Sequence, residues 1–414
     1  VTAPIAASPA ARIAQHFEND ARPLGIAVSG GSDSLALLHL MAAWGGAPLR
    51  CVTVDHGLRQ ASAGEAAQVA KICAGLGIAH DTLTWDGWTG QGNLAAEARR
   101  ARYALMANWA AAHGLAGVTL GHTQDDVAET LLMRLARRAG VDGLAAMPAR
   151  RPEGDITLHR PLLAARRAEL RRYLAERGVG WIDDPSNTDG RYRRTQARIA
   201  LDALVPVGVT PDALADVAQH LGKARATLAH YAAAEARALV TVQQGDLLMP
   251  AAGFAALRPD IARRILSAGL RWINGAQYGA RGPDLDRLLA ALSAGRGGTL
   301  AGCRVTTASG VIRLAREFAA VRQTSAAPDA LWDGRWRLTG PQMPGARVCA
   351  LGLKGRMACP DWRKAGLPLH SIEASPAIWR GADLIAAPLA GYPNGWTAQL
   401  CRTQTDLRAM LLSH

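Results

Sequence analysis

Residues 24–38 impose a strand, a sharp turn and a helix start in immediate succession. The apolar run Leu24-Gly25-Ile26-Ala27-Val28 has the length and composition of a buried strand. It passes through Ser29-Gly30-Gly31-Ser32-Asp33-Ser34 into a second apolar run, Leu35-Ala36-Leu37-Leu38. A strand that feeds a helix through six small residues leaves bare N–H groups at the helix start, where an anion is favoured. Two adjacent glycines let a phosphate approach backbone with no Cβ in the way. Ser29, Ser32 and Ser34 add hydroxyl donors, and Asp33 adds a carboxylate suited to Mg²⁺. The chain holds neither a Walker A lysine motif nor a G-x-G-x-x-G fingerprint. A phosphate turn without that lysine suits holding pyrophosphate as it leaves, with attack at the α-phosphorus of a nucleotide.

Strand and helix signals alternate over 24–163. Leu49–Val54 is a short apolar strand that ends in Asp55-His56-Gly57-Leu58-Arg59. Ser62 and Glu65 form a capping-box pattern for a helix toward Leu76, with Gly77 just beyond. Asp81–Trp85 reads as a weaker strand, and Asn93 caps a long helix to about His113. Val118–Leu120 is a strand with Thr123 capping the helix after it. Leu158–Leu163 is another strand, followed by a helix over Glu169–Glu176. Repeated strand–helix units imply an α/β domain, a parallel sheet with helices on both faces. Ligands in such sheets sit beyond the carboxyl ends of the strands. The segments 29–34, 55–59 and 121–129 all fall there.

Chemistry concentrates in three more places. In Gly121-His122-Thr123-Gln124-Asp125-Asp126-Val127-Ala128-Glu129, Asp126 and Glu129 share one helix face, as do Asp125 and Glu129. These acids suit an ordinary helix N-terminus, and they also suit a cationic substrate or Mg²⁺. Arg99 and Arg102 share a face of the Asn93–Tyr103 segment, either as a solvated basic face or as a grip on phosphate. The turn Asp184-Pro185-Ser186-Asn187-Thr188-Asp189 precedes Arg191, Arg193, Arg194 and Arg198, which could close over phosphates or hold RNA.

Composition narrows the partners. Lys plus Arg number 47 against 34 for Asp plus Glu, a formal net charge of +13, and Lys occurs only at positions 71, 223, 354 and 364. An arginine-dominated excess suits bidentate contacts to a polyanion such as RNA. None of the six cysteines forms a C-x-x-C pair, which argues against a zinc ribbon or a thiol relay and for a reduced, cytoplasmic protein. No apolar stretch reaches the roughly 20 residues of a membrane span, and no signal peptide is expected in the first twenty residues.

We read residues 1–205 as the nucleotide-binding catalytic domain. A mostly helical domain is expected over 206–318, and a small β-containing domain over 319–414. Residues 319–330 read as a linker, and Arg304–Leu314 as a hairpin after the glycine-rich 295–302. Five of the eleven tryptophans fall at 332, 336, 362, 379 and 396, either as a small core or as platforms for RNA bases.

In this order the segments resemble the bacterial tRNA(Ile)-lysidine synthetases of the PP-loop ATP pyrophosphatase superfamily. The resemblance runs through Ser29–Ser34, Val54–Arg59, Asn93–Tyr103, Leu120–Thr123 with Asp125, Asp126 and Glu129, Arg160-Pro161-Leu162-Leu163, and Asp184–Asn187. It covers about 20–200 strongly and the later residues in patches. It implies ATP-dependent ligation of free L-lysine to C2 of the wobble cytidine of a CAU-anticodon tRNA(Ile), through an adenylated tRNA, with release of pyrophosphate and AMP. It further implies ATP at Ser29, Gly30, Gly31, Ser32, Asp33 and Ser34, with Mg²⁺ on Asp33. Arg102 and His122 would act at the α-phosphate, Asp126 and Glu129 would hold lysine, and Arg194 and Arg198 would close the site. Arg99, Arg194 and Arg198 would contact tRNA, and the resemblance leaves a homodimer open. The sequence departs from the family at Arg194-Thr195 and at Arg137-Arg138-Ala139-Gly140. Two other readings remain at this level: another PP-loop tRNA-modifying enzyme such as a thiolase, and a non-catalytic RNA-binding relative.

Overall fold

The computed structural model describes residues 7–55, 57, 62–85, 87–88, 94–183, 190–276 and 279–412. Of the expected segments, His56, Leu58, Arg59, Asn93 and the turn at 184–189 lie outside the described residues. The chain divides into two compact units, Val1–Arg225 and Ala226–His414.

The first unit begins with α1 (Pro9–His16), β1 (Leu24–Ala27), α2 (Ser32–Trp44), β2 (Leu49–Asp55) and α3 (Ser62–Gly75). It continues with β3 (Ala79–Thr84), α4 (Leu94–Ala112), β4 (Gly117–Leu120), α5 (Gln124–Leu135) and α6 (Val141–Leu144). The hairpin β5 (Arg150–Glu153) and β6 (Ile156–His159), then α7 (Arg167–Ala175), α8 (Arg193–Leu204) and the start of α9 (Pro211–Leu239) complete it. Its sheet has the order β3-β2-β1-β4-β6-β5. Every neighbouring pair is parallel except β5–β6. Alternation along the strands feeds two cores. Leu24, Ile26 and Cys51 pack with α2, α3 and α7 residues such as Leu38, Cys73 and Leu170. Val52, Val118 and Leu120 pack with Tyr103, Met106 and Trp109 of α4. Adjacent residues of β2 therefore face opposite layers, as a period of two requires, and helices cover both faces of the sheet. Gly25 is fixed by this packing, since a Cβ there would stand 2.6 Å from the Trp109 ring. The expected strand over 158–163 is shorter and earlier, because Arg160 and Pro161 leave the ladder after His159.

At the edge of the first core, His16 Nε2 and His159 Nδ1 are 3.0 Å apart. Burial pushes both imidazoles down to about 4, helped by Arg150 at His16 and by His16 itself at His159. An unfolded-chain histidine titrates near ~6.5, so the unfolded state binds more protons as the pH falls below that value. The stability contributed by the neutral pair is present above about pH 6.5 and is lost toward pH 4. The unfolding temperature is expected to be flat above neutrality and to fall steadily between those limits. A pH-independent melting temperature in that window would remove the pair from the account.

The second unit contains β7 (Thr241–Gln243), β8 (Asp246–Pro250), α10 (Ala251–Ala255), α11 (Pro259–Asn274), α12 (Gly282–Ser293), β9 (Gly298–Leu300), β10 (Cys303–Ala308) and β11 (Val311–Arg316). The hairpin expected over 304–314 is β10–β11, joined in a five-stranded sheet of order β7-β8-β11-β10-β9. Further on come β12 (Ser325–Ala326), β13 (Trp336–Thr339), β14 (Ala346–Ala350), β15 (Pro376–Arg380), β16 (Asp383–Ala386) and β17 (Thr397–Leu400). Residues 319–330 are not a plain linker: Val321 is fully buried and β12 pairs with β14. Trp332, Trp336 and Trp396 are at most 3% exposed and fill one core, so these three serve packing rather than base stacking. No described helix is long and apolar enough to cross a membrane.

Candidate active site

A cleft of about 530 Å³ opens at the carboxyl ends of β1, β2 and β4, lined by Ser29, Gly31, Ser32, Asp33, Ser34, Asp55, Arg102, His122, Asp126, Arg167, Arg194 and Arg198 among others. The turn at its floor is built by its own side chains. Ser34 Oγ donates to the Gly31 carbonyl at 3.0 Å and accepts from the Ser29 N–H at 3.2 Å. The two glycines differ in purpose. Gly30 has φ +86° and lies under Ile182, whose Cδ1 would be 2.6 Å from a Cβ. The left-handed backbone, more than the movable Ile182 methyl, therefore demands Gly30. Gly31 would carry a Cβ with nothing closer than 3.8 Å, so packing does not require its bareness, and a phosphate resting on the α2 N-terminus would. Gly121 lets β4 close against this turn: a Cβ there would stand 2.9 Å from the Asp33 carbonyl oxygen.

The α5 acids divide their work. Thr123 and Asp126 form a reciprocal capping box. Asp126 Oδ2 accepts from the Thr123 N–H at 2.8 Å and its hydroxyl at 3.0 Å, which leaves Oδ1 toward the arginines. Asp125 instead caps α7, accepting from the Arg167 N–H at 2.7 Å. Helix-terminus bonds therefore account for one oxygen each of Asp125 and Asp126, with Asp125 Oδ1 turned to Arg166 at 3.4 Å. They do not account for Glu129, which is 1% exposed.

Glu129 is the centre of an ion cluster. Its Oε1 accepts from Arg198 Nε at 2.7 Å and from Arg167 Nη1 at 3.1 Å. Arg167 also donates through Nε to Asp33 Oδ2 at 2.8 Å and through Nη2 to Asp126 Oδ1 at 3.4 Å. Arg194 is the loosest member, 3.6 Å from Asp126 Oδ1 and 3.5 Å from Glu129 Oε2, with its side chain 47% exposed. Three carboxylates thus meet three guanidiniums. Burial opposes the charge on Arg167, and Asp33, Asp126 and Glu129 outweigh it, raising its pKa. Burial likewise pushes Asp126 up, and Arg194 and Arg167 outweigh it, so its pKa lies below the usual carboxylate range. At Asp33 burial wins and the pKa is raised despite Arg167.

His122 follows β4 and is pushed down to about 3, chiefly by burial. It is neutral near pH 7 and brings a hydrogen-bonding group rather than a charge. Arg102 brings the charge on the same wall.

Sequence reasoning placed Ser29, Gly31, Ser32, Asp33, Ser34, Arg102, His122, Asp126, Arg194 and Arg198 on this cleft, and all ten line it. Gly30 shapes the turn from beneath, Glu129 lies behind the wall, and Arg99 is exposed on α4 outside the lining residues. It missed Arg167. The available signal was a pair of arginines opening a helix, where a cation opposes the helix dipole. A residue that breaks a local rule marks a place where function or tertiary contact prevails. Of the two departures in sequence, Arg138 adopts a left-handed φ of 56° and Thr195 is buried within α8.

Comparison with known proteins sharpens the assignment. Residues 6–204 match the PP-loop domain family, which makes ATP the nucleotide for this cleft. Over 97% of its length the chain is 48% identical to the tRNA(Ile)-lysidine synthase of Ruegeria pomeroyi, covering 96% of that protein. The chain belongs to the tRNA(Ile)-lysidine synthase family. The relative of that name from Bradyrhizobium sp. strain BTAi1 is 38% identical over 75% of this chain and 94% of its own. Among solved structures, the U34-tRNA thiolase NcsA from Methanococcus maripaludis aligns with 52% of this chain and 78% of its own, at 15% identity and a TM-score of 0.45.

Proposed function

We propose that this chain joins free L-lysine to C2 of the wobble cytidine of a CAU-anticodon tRNA(Ile), in the cytoplasm. In the first step the cytidine O2 attacks the α-phosphorus of ATP and pyrophosphate leaves. In the second the lysine ε-amine attacks C2, the C2–O2 bond breaks, and AMP carries the oxygen away. The Ser29–Ser34 turn holds the departing pyrophosphate through N–H groups of the α2 N-terminus. Arg102 and neutral His122 are preorganised donors for charge that develops at the α-phosphate.

The reading rests chiefly on the seat between Asp126 Oδ1 and Glu129 Oε2. The Glu129 atom is buried without a hydrogen bond, and the half-exposed Arg194 stands 3.5 Å from it. An ammonium group of lysine replaces that guanidinium at little electrostatic cost, because one cation succeeds another. Arg167 and Arg198 hold Glu129 more tightly and stay. Release of Arg194 then leaves it free to reach phosphate or tRNA, as the α8 arginines were expected to do.

Asp33 suits Mg²⁺, which typically takes one or two carboxylates together with substrate phosphates and water. Its carboxylate lies on the phosphate turn, and its present partner, Arg167, is itself shared with two other acids. The ion would screen the pyrophosphate charge. The reaction is tested by incubating the purified protein with ATP, labelled lysine and CAU-anticodon tRNA(Ile). Label enters that tRNA only, with one AMP formed per lysine. Asp33→Ala lowers the rate at least ~100-fold, the scale of losing one electrostatic stabiliser of a transition state. A rate unchanged in Asp33→Ala would sink the metal assignment; no label with wild type would sink the reaction.

A further inference from the structure

Next to the cleft, α4 and the β5–β6 hairpin gather arginines that the reaction as described does not use. Tyr103 is 5% exposed. The guanidinium carbons of Arg99 and Arg151 stand 5.0 Å from its ring centroid, and that of Arg102 stands 5.4 Å away. Arg160, 3% exposed, adjoins them and spends Nη1 on the Pro148 carbonyl at 2.9 Å. Glu153 pairs with Arg151.

Two observations set this cluster apart. Its charge is not balanced: among the described residues, four guanidiniums converge where one carboxylate is in contact. The other buried arginines among the described residues are matched, Arg264 by Asp260 and Arg335 by Asp333. Moreover, the Nε atoms of Arg102, Arg151 and Arg160 are buried with no hydrogen-bond partner among the described residues. Buried donors left unpaired are costly, and three in one place describe a seat for an acceptor with several oxygens. Burial, with the Arg151 and Arg99 charges, lowers the pKa of Arg160 although Tyr103 raises it, as expected for crowded cations.

We propose that Arg99, Arg102, Arg151 and Arg160 around Tyr103 form an oxyanion site that takes a backbone phosphodiester of the RNA strand entering the cleft. The proposal rests on the tRNA reading above. Arg102 is shared between the two sites because it also lines the ATP cleft, so a phosphate bound here lies one arginine away from the reacting α-phosphate. The aromatic ring holds the cations in place while leaving their N–H groups to the ligand. Seating the strand would thereby set the distance between the flipped-in base and ATP.

The test is equilibrium binding of CAU-anticodon tRNA(Ile) to the full-length protein between 50 and 200 mM KCl, roughly the range over which counterion release is read. Arg151→Gln, whose side chain is outside the ATP cleft, is expected to weaken binding about 10-fold and to reduce the slope of log K against log salt by about one. Tyr103→Phe, which keeps the ring, weakens binding less and leaves the slope unchanged. ATP affinity and melting temperature serve as fold controls, and Arg99→Gln, on the exposed side, replaces Arg151→Gln if that variant does not fold. Unchanged affinity and slope in the folded arginine variant overturn the proposal. Inorganic pyrophosphate binding that falls as much as tRNA binding also overturns it, because the site would then serve the leaving group. Wild-type protein that binds no CAU-anticodon tRNA overturns the reading beneath it instead.

Discussion

Arg167→Ala is expected to destabilise the first unit by ~3–5 kcal/mol, the range for breaking a buried ion pair by removing one partner. The Arg167 side chain is 18% exposed and joins Asp33, Asp126 and Glu129, which belong to two different helices. Without it, three carboxylates share Arg194 and Arg198. Glu129, at 1% exposure, cannot turn to water for solvation. Arg167→Lys recovers only part of the loss, since an ammonium cannot present the planar fork that reaches three acceptors at once. Urea unfolding of the full chain reads the effect as a shift of the transition belonging to the first unit. A shift worth less than ~1 kcal/mol, the scale of an exposed ion pair, would mean that the cluster is held by packing alone.

Glu129→Gln is expected to separate the two chemical steps. The amide keeps the shape of the side chain and an acceptor for Arg198, and it removes the charge that seats a lysine ammonium. Losing one buried partner of a charge pair costs ~2–5 kcal/mol, or roughly 30- to 4,000-fold in the lysine-transfer rate. The α-phosphate chemistry relies on the 29–34 turn, Arg102 and His122, so tRNA-dependent exchange of pyrophosphate into ATP should persist within ~3-fold. Rapid-quench measurement of adenylated tRNA and of labelled lysine follows the steps separately. Equal loss of both steps would assign Glu129 to the nucleotide side of the cleft.

The parts of this site that were legible in sequence are local ones. The strand–turn–helix around Ser29–Ser34 is encoded by residues a few positions apart, and so is the Thr123–Asp126 capping box. The family motifs brought ten lining residues to the same cleft. Illegible were the divisions of labour that depend on a third element. Asp125 looked equivalent to its neighbour Asp126 until α7 placed the Arg167 N–H against it. Tryptophans 332, 336 and 396 fitted a core or an RNA platform equally well, and packing decided for the core. The strand at Ser325–Ala326 is made of small residues with no pattern of their own, and exists because β14 supplies the ladder.

By itself, then, the sequence determined the phosphate turn, the order of the strand–helix units and the identity of the charged side chains, because each follows from short-range geometry and composition. Tertiary structure alone decided which charges meet. Arg167 is 134 residues from Asp33 and 38 from Glu129, and Arg198 is 69 from Glu129. No periodicity relates such positions. Their pairing follows from the packing of α2, α5, α7 and α8 beside the sheet, where low solvation makes each carboxylate take a nearby guanidinium. The packing of α4 beside the β5–β6 hairpin likewise gathered four arginines around Tyr103 with the single carboxylate of Glu153 in contact among the described residues.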